Sequence, residues 1–181
     1  MSEYRFTVVH TSAGPNDDLS VEEGLLGAVG ARLVRANRPP DEDALIAALH
    51  GADAVIAGAG HITERVAASL EQCQILIRTG VGYDTVDVPA LTRHGIIAAN
   101  LPDIWTNEVA NQAFGLLLAV NRRIAEHDRL VHAGRWRGFP DLHVGEVTGE
   151  TLGIIGCGRI GSAIARRALA FGMQVIAYDP Y

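Results

Sequence analysis

Short apolar runs alternate with helically spaced apolar positions almost from the start of this chain. Residues 5–10 (RFTVVH), 31–36 (ARLVRA), 52–59 (ADAVIAGA), 75–80 (ILIRTG) and 96–100 (IIAAN) each read as a strand buried on both faces. Between the first two, Val21, Leu25, Leu26 and Val29 fall at helical spacing. Residues 41–51 read as a helix with acidic residues in its first turn and Gly51 at its end, and 63–70 and 87–95 as two more, the last stopped by Gly95. Strands that alternate with helices in this way predict a parallel sheet covered on both faces. Residues 1–103 are therefore expected to form an α/β unit of flavodoxin-like type, in which ligands sit at the carboxyl ends of the strands, at a topological switch point.

A turn-rich hinge, NLPDIWT, follows this unit. Residues 107–132 then read as one long helix, apolar in its first half and charged in its second. The helix runs into a glycine-rich loop, 133–149, whose Trp136 and Phe139 need something to cover them. A second α/β unit begins near residue 150, so residues 104–181 hold a linker helix, an arm and the beginning of a Rossmann dinucleotide-binding domain.

That beginning carries the chemistry. TLGIIGCGRIG places Gly156, Gly158 and Gly161 in the G-x-G-x-x-G arrangement, between an apolar strand and a helix. A second strand, MQVIAYD, then ends in Asp179 at the distance expected of a dinucleotide fingerprint. Gly156 permits the sharp turn, Gly158 lets the backbone approach a pyrophosphate, and Gly161 allows the helix to pack closely on the strand. The helix start, with Arg159 and Ile160, offers amides and a positive dipole end to phosphates. Asp179 can accept hydrogen bonds from ribose hydroxyls and would repel a 2′-phosphate, which favours NAD over NADP.

Composition adds limits rather than functions. The chain has 181 residues, 48% hydrophobic and 20% charged, as ordinary globular domains do. A formal net charge of -6 argues against a general nucleic-acid or anionic-membrane binder. The start of the chain has no signal-peptide pattern, and its longest apolar stretch is too short for a membrane span. Two well-separated cysteines, Cys73 and Cys157, fit unpaired thiols in a reducing cytoplasm and make no metal-ligand pattern. The histidines form no pair at metal spacing, and no carboxylate stands at a convincing position to tune one.

Three blocks together resemble the D-isomer-specific 2-hydroxyacid dehydrogenase family: RTGVGYDTVDVPALTRHGIIAANLPD, NEVANQAFGLLLAVNRRI and GETLGIIGCGRIGSAIARRALAFGMQVIAYDPY. Within it they are similar to the branch of phosphoglycerate dehydrogenases and C-terminal-binding-protein corepressors. The resemblance implies NAD-dependent hydride transfer between a D-2-hydroxy acid and its 2-keto acid, in a cytoplasmic homodimer built through the 107–140 helix and arm. It implies that Val81 and Gly82 present amides to the substrate carboxylate, and it leaves His61, the ionisable side chain of the loop GAGHIT, as a candidate contact. Family members that take phosphorylated acids place a basic residue about where Ala59 and Gly60 stand, and the family's Val-Ala-Glu appears here as Val109, Ala110 and Asn111. The family's catalytic histidine, glutamate and arginine lie downstream of the strand that ends at the cofactor acid. The chain is accordingly expected to be an N-terminal fragment, with no catalytic residue of its own to name and no turnover alone. A corepressor-like NAD(H)-binding interaction module, or an inactive remnant, are the alternative readings.

Overall fold

The computed structural model describes residues 4–136 and 144–181, and the chain divides into two compact units, one ending at Pro102 and one running from Asp103 to Tyr181. Arg137, Phe139 and His143 lie outside the described residues.

The first unit alternates β1 (Phe6–His10), α1 (Ser20–Ala28), β2 (Ala31–Arg35), α2 (Glu42–Leu49), β3 (Ala54–Ala57), α3 (Glu64–Ser69), β4 (Ile75–Arg78), α4 (Val88–Arg93) and β5 (Ile97–Asn100). All five strands are parallel, in the order β2-β1-β3-β4-β5. This is the flavodoxin-like order expected from the alternation of runs, and its direction reverses between β1 and β3. Val9, Val55 and Leu76, in the three central strands, pack with Leu45 and Leu49 of α2, Val66 and Ala67 of α3, and Ala90 and Leu91 of α4 in one buried cluster. Fully burying one such aliphatic side chain contributes about 1.5–3 kcal/mol. The three helices also start cleanly: the Asp41, Thr63 and Asp87 side chains accept from the Ala44, Val66 and Ala90 N–H groups. Each cap adds about 1 kcal/mol.

α1 departs from this pattern. None of its residues is buried, and Val21, Leu25 and Val29 remain exposed. Right-handed crossovers explain the difference. The step from β1 to β2 runs one way across the sheet and the later steps run the other, so α1 lies on the face opposite α2, α3 and α4.

The second unit contains α5 (Thr106–Asn121), α6 (Ile124–His132), β6 (Thr151–Ile155), α7 (Arg159–Ala170) and β7 (Gln174–Tyr178), with β6 and β7 paired in parallel. The single helix expected over 107–132 is in fact two. Arg123 takes a left-handed conformation, φ 55°, which ends α5 and starts α6. α5 packs on α7 through Phe114, whose ring centre lies 4.8 Å from that of Phe171, above a small core with Ala168 and Met173. Asn111, which replaces the glutamate of the family pattern, accepts from Arg167 Nε at 2.8 Å, and Asn107 accepts from the same guanidinium at 3.2 Å. Trp136 is exposed. Among the described residues no helix is long and apolar enough to cross a membrane.

Candidate functional site

In the second unit, β6 ends at Ile155 and the chain turns through Gly156, at φ 89°, into α7. A left-handed backbone at this corner is strained for any residue with a Cβ. Gly161, in the first turn of α7, is constrained by packing: a Cβ there would stand 2.1 Å from the Gly156 carbonyl oxygen. Gly158 differs from both. Its φ is -67°, and an added Cβ would meet no protein atom within 4 Å. No packing contact requires glycine at 158, where it serves as the N-cap of α7, and the space above it is open to a closely approaching ligand.

The first intrahelical bond at this end of α7 runs from the Ser162 N–H to the Gly158 carbonyl at 2.9 Å. The Gly158 and Ile160 amides, upstream of it, meet no acceptor among the described residues. Arg159 opens the helix and is exposed. Asp179, just beyond β7, reaches back to this turn. Its Oδ2 accepts the Cys157 N–H at 2.6 Å, and its Oδ1 accepts the Tyr181 N–H at 3.1 Å. The sequence assigned Asp179 to a sugar only; the fold also makes it a brace of the glycine turn. Donors at a helix start, a turn with open space above it and an acid at the next strand's end fit a dinucleotide's diphosphate and ribose.

In the first unit, Val81 and Gly82 follow β4. Neither amide meets an acceptor among the described residues, while the loop itself is fixed by Asn100 Nδ2 donating to the Val81 carbonyl at 2.8 Å. A cavity of about 250 Å³ opens beside this loop, lined by Arg78, Tyr83, Val86 and Asn100 among others. Arg78, passed over in the sequence although it opens the quoted RTGVGYD run, is one of these lining residues. Its guanidinium donates to the Ala57 carbonyl at 3.2 Å and lies alongside Gly80. The Asp84 carboxylate lies near Gly82.

His61 is exposed, in the loop after β3. That loop meets the Val81 loop through a short parallel bridge, Ile62 with Val86. His10, at the end of β1, accepts the Ser12 N–H at its Nδ1 at 3.3 Å. Burial pushes its pKa below the ordinary value, against the opposing pull of Glu22 and Asp17. Two histidines have carboxylate partners that the sequence did not reveal. His94 Nε2 lies 2.9 Å from Glu64 Oε1, and His132 Nδ1 lies 3.4 Å from Asp128. Both pairs are on the surface, and among the described residues no group of side chains is arranged to hold a metal ion.

Comparison with known proteins agrees with this geometry. Residues 114–181 match the profile of the D-isomer specific 2-hydroxyacid dehydrogenase, NAD binding domain. A glyoxylate reductase of Korarchaeum cryptofilum is 39% identical over 145 residues, which take in 78% of this chain and 44% of that protein. A D-3-phosphoglycerate dehydrogenase of Mycobacterium leprae is 41% identical over 143 residues, 78% of this chain and 27% of that protein. Among solved structures, the D-lactate dehydrogenase of Aquifex aeolicus complexed with NAD and lactic acid matches with a TM-score of 0.80 at 25% identity, over 96% of this chain and 51% of that one. The chain thus spans less than half the length of either curated relative.

Proposed function

With the premise that this chain belongs to the D-isomer specific 2-hydroxyacid dehydrogenase family, we propose that it serves NAD-dependent interconversion of a D-2-hydroxy acid and its 2-keto acid. The observation that carries this reading is the glycine turn, where Gly156 answers to backbone conformation, Gly161 to packing, and Gly158 to neither. The Gly158 and Ile160 amides, with the helix dipole and Arg159, hold the diphosphate. Asp179 accepts from the ribose hydroxyls and opposes an added 2′-phosphate, which sets NAD above NADP. The nicotinamide, when bound, takes or returns the hydride.

The Val81 and Gly82 amides take the substrate carboxylate, as successive backbone N–H groups at a strand's carboxyl end do for anions. Arg78 adds positive charge beside them, and His61 lies at the edge of the neighbouring loop. The uncharged Ala59 and Gly60 favour a small unphosphorylated acid over a phosphorylated one. A homodimer is proposed through α5, α6 and the arm beyond them, supported by the exposed Leu116, Val120, Ile124 and Trp136. The unpaired Cys73 and Cys157 favour a cytoplasmic setting.

Titrating the purified chain with NADH, followed by nicotinamide fluorescence, tests the cofactor assignment. Saturable binding that NADPH competes for poorly is the expected result. Absence of NADH binding by the folded chain refutes the proposal.

A further inference from the structure

Thr11 is the only buried polar residue among the described residues, with 0% of its surface exposed. A threonine hydroxyl has one proton to give and room to accept two. Here all three are used, and on a single segment. Oγ1 donates to the Ala59 carbonyl at 2.8 Å and accepts the Gly58 and Ala59 N–H groups at 3.1 and 3.0 Å. These partners lie 47–48 residues away in sequence. Thr11 follows β1 directly, and its own N–H donates to the Ile56 carbonyl of β3 at 3.0 Å. It therefore stands between β1 and β3, where the strand order reverses and where parallel sheets bind their ligands.

The segment held by Thr11 is tightly confined. A Cβ on Gly58 would fall 1.9 Å from the Ser12 hydroxyl, and Gly60 sits at φ 85° against Leu45. Through Ile62, the next residue, it is also bonded to the loop that carries the amides proposed to take the substrate carboxylate. The Ile62 N–H donates to the Thr85 carbonyl and the Asp87 N–H to the Ile62 carbonyl, both at 2.8 Å. A shift of residues 58–61 is thereby passed to residues 81–87 through these two hydrogen bonds, which make up the Ile62–Val86 bridge.

We propose that Thr11 is a positioning residue for substrate: its hydroxyl fixes the 58–61 segment, and through it the placement of the Val81 and Gly82 amides. The role rests on the reading of those amides as the carboxylate site. Valine matches threonine in shape but satisfies none of the three partners, whereas serine satisfies all of them.

The test uses the full chain with saturating NADH and oxamate, a non-reducible 2-keto acid analogue, as the probe. Thr11→Val should weaken oxamate binding by at least ~10-fold, while NADH affinity stays within ~2-fold, because removing partners of buried amides displaces only the loops they hold. Thr11→Ser should keep oxamate affinity within ~2-fold of the parent, since its hydroxyl keeps all three bonds. Unchanged oxamate affinity in a folded Thr11→Val overturns the proposal. If that variant does not fold, amide exchange in the parent decides. Oxamate should slow exchange at Gly58, Ala59 and Ile62 together with Val81 and Gly82, and slowing confined to 81–82 overturns the role. A parent chain that binds NADH but no oxamate refutes the carboxylate site itself, and the role of Thr11 falls with it.

Discussion

Gly161→Ala places one methyl group where the structure leaves no room. The new Cβ would stand 2.1 Å from the Gly156 oxygen, 3.1 Å from its carbonyl carbon and 3.3 Å from Ile154 Cγ2. The closest of these is backbone, at the corner of a turn, so relief requires α7 and the turn to part by more than ~1 Å before ordinary van der Waals contact is restored. Overpacking of this kind costs about 1–3 kcal/mol of stability. It also moves the amides that face the diphosphate. A hydrogen bond of ordinary length stretched by ~1 Å is lost, and each bond to a charged phosphate oxygen contributes about 1.5–3 kcal/mol. Loss of one of them lowers NADH affinity by ~10- to 100-fold. Denaturant unfolding followed by Trp136 and Trp105 fluorescence measures the first effect, and NADH titration of the folded variant measures the second. A Gly161→Ala variant with the parent's unfolding midpoint and NADH affinity refutes the packing argument.

Two further outcomes follow from charge. Asp179→Asn keeps an oxygen to accept the Cys157 N–H but removes the charge that opposes a 2′-phosphate. The ratio of NADPH to NADH dissociation constants should therefore narrow by roughly 10-fold, the scale of one charge–charge repulsion at partial exposure, and an unchanged ratio contradicts the role given to Asp179. His10 is held below its ordinary pKa of 6.5 by burial, so between the two values the unfolded chain binds more protons than the folded one. Its contribution to the stability of the first unit is thus complete above about pH 6.5 and is lost as pH falls through that window. Urea midpoints measured from pH 5 to 8 should show this decline, and His10→Asn should flatten it; an equal slope in the variant counts against the assignment.

The fold was legible because the strands of the first unit are continuous apolar runs and its helices carry caps and stop signals. Asp41, Thr63, Asp87 and Gly95 mark helix ends in the sequence as plainly as in the structure. The glycine turn was legible for the same local reason. The break between α5 and α6 was not, because no glycine or proline marks it and Arg123 itself adopts the left-handed conformation. Long-range side-chain pairs were equally silent. His94 meets Glu64, Thr11 meets Ala59 and Asp179 meets the Cys157 amide only once the sheets are assembled. The exposure of Val21 and Leu25 escaped the periodicity of α1 because it depends on the crossover direction, a property of strand order and not of spacing.

Asp179→Ala is an ambiguous probe of the dinucleotide site, since it would also release the brace on the glycine turn. Gly158→Ala is not ambiguous, because its methyl group meets nothing in the protein and asks for no change in backbone. NADH titration of that variant, beside its unfolding curve, tests the central claim most directly. A dinucleotide seated on the 156–161 turn requires a stability loss of no more than about 1 kcal/mol, the scale of exchanging a glycine N-cap for alanine, together with a loss of NADH affinity of at least ~10-fold, as when a group fills space a ligand must occupy. Equal stability with equal NADH affinity would mean that no diphosphate rests on Gly158, and would contradict the account.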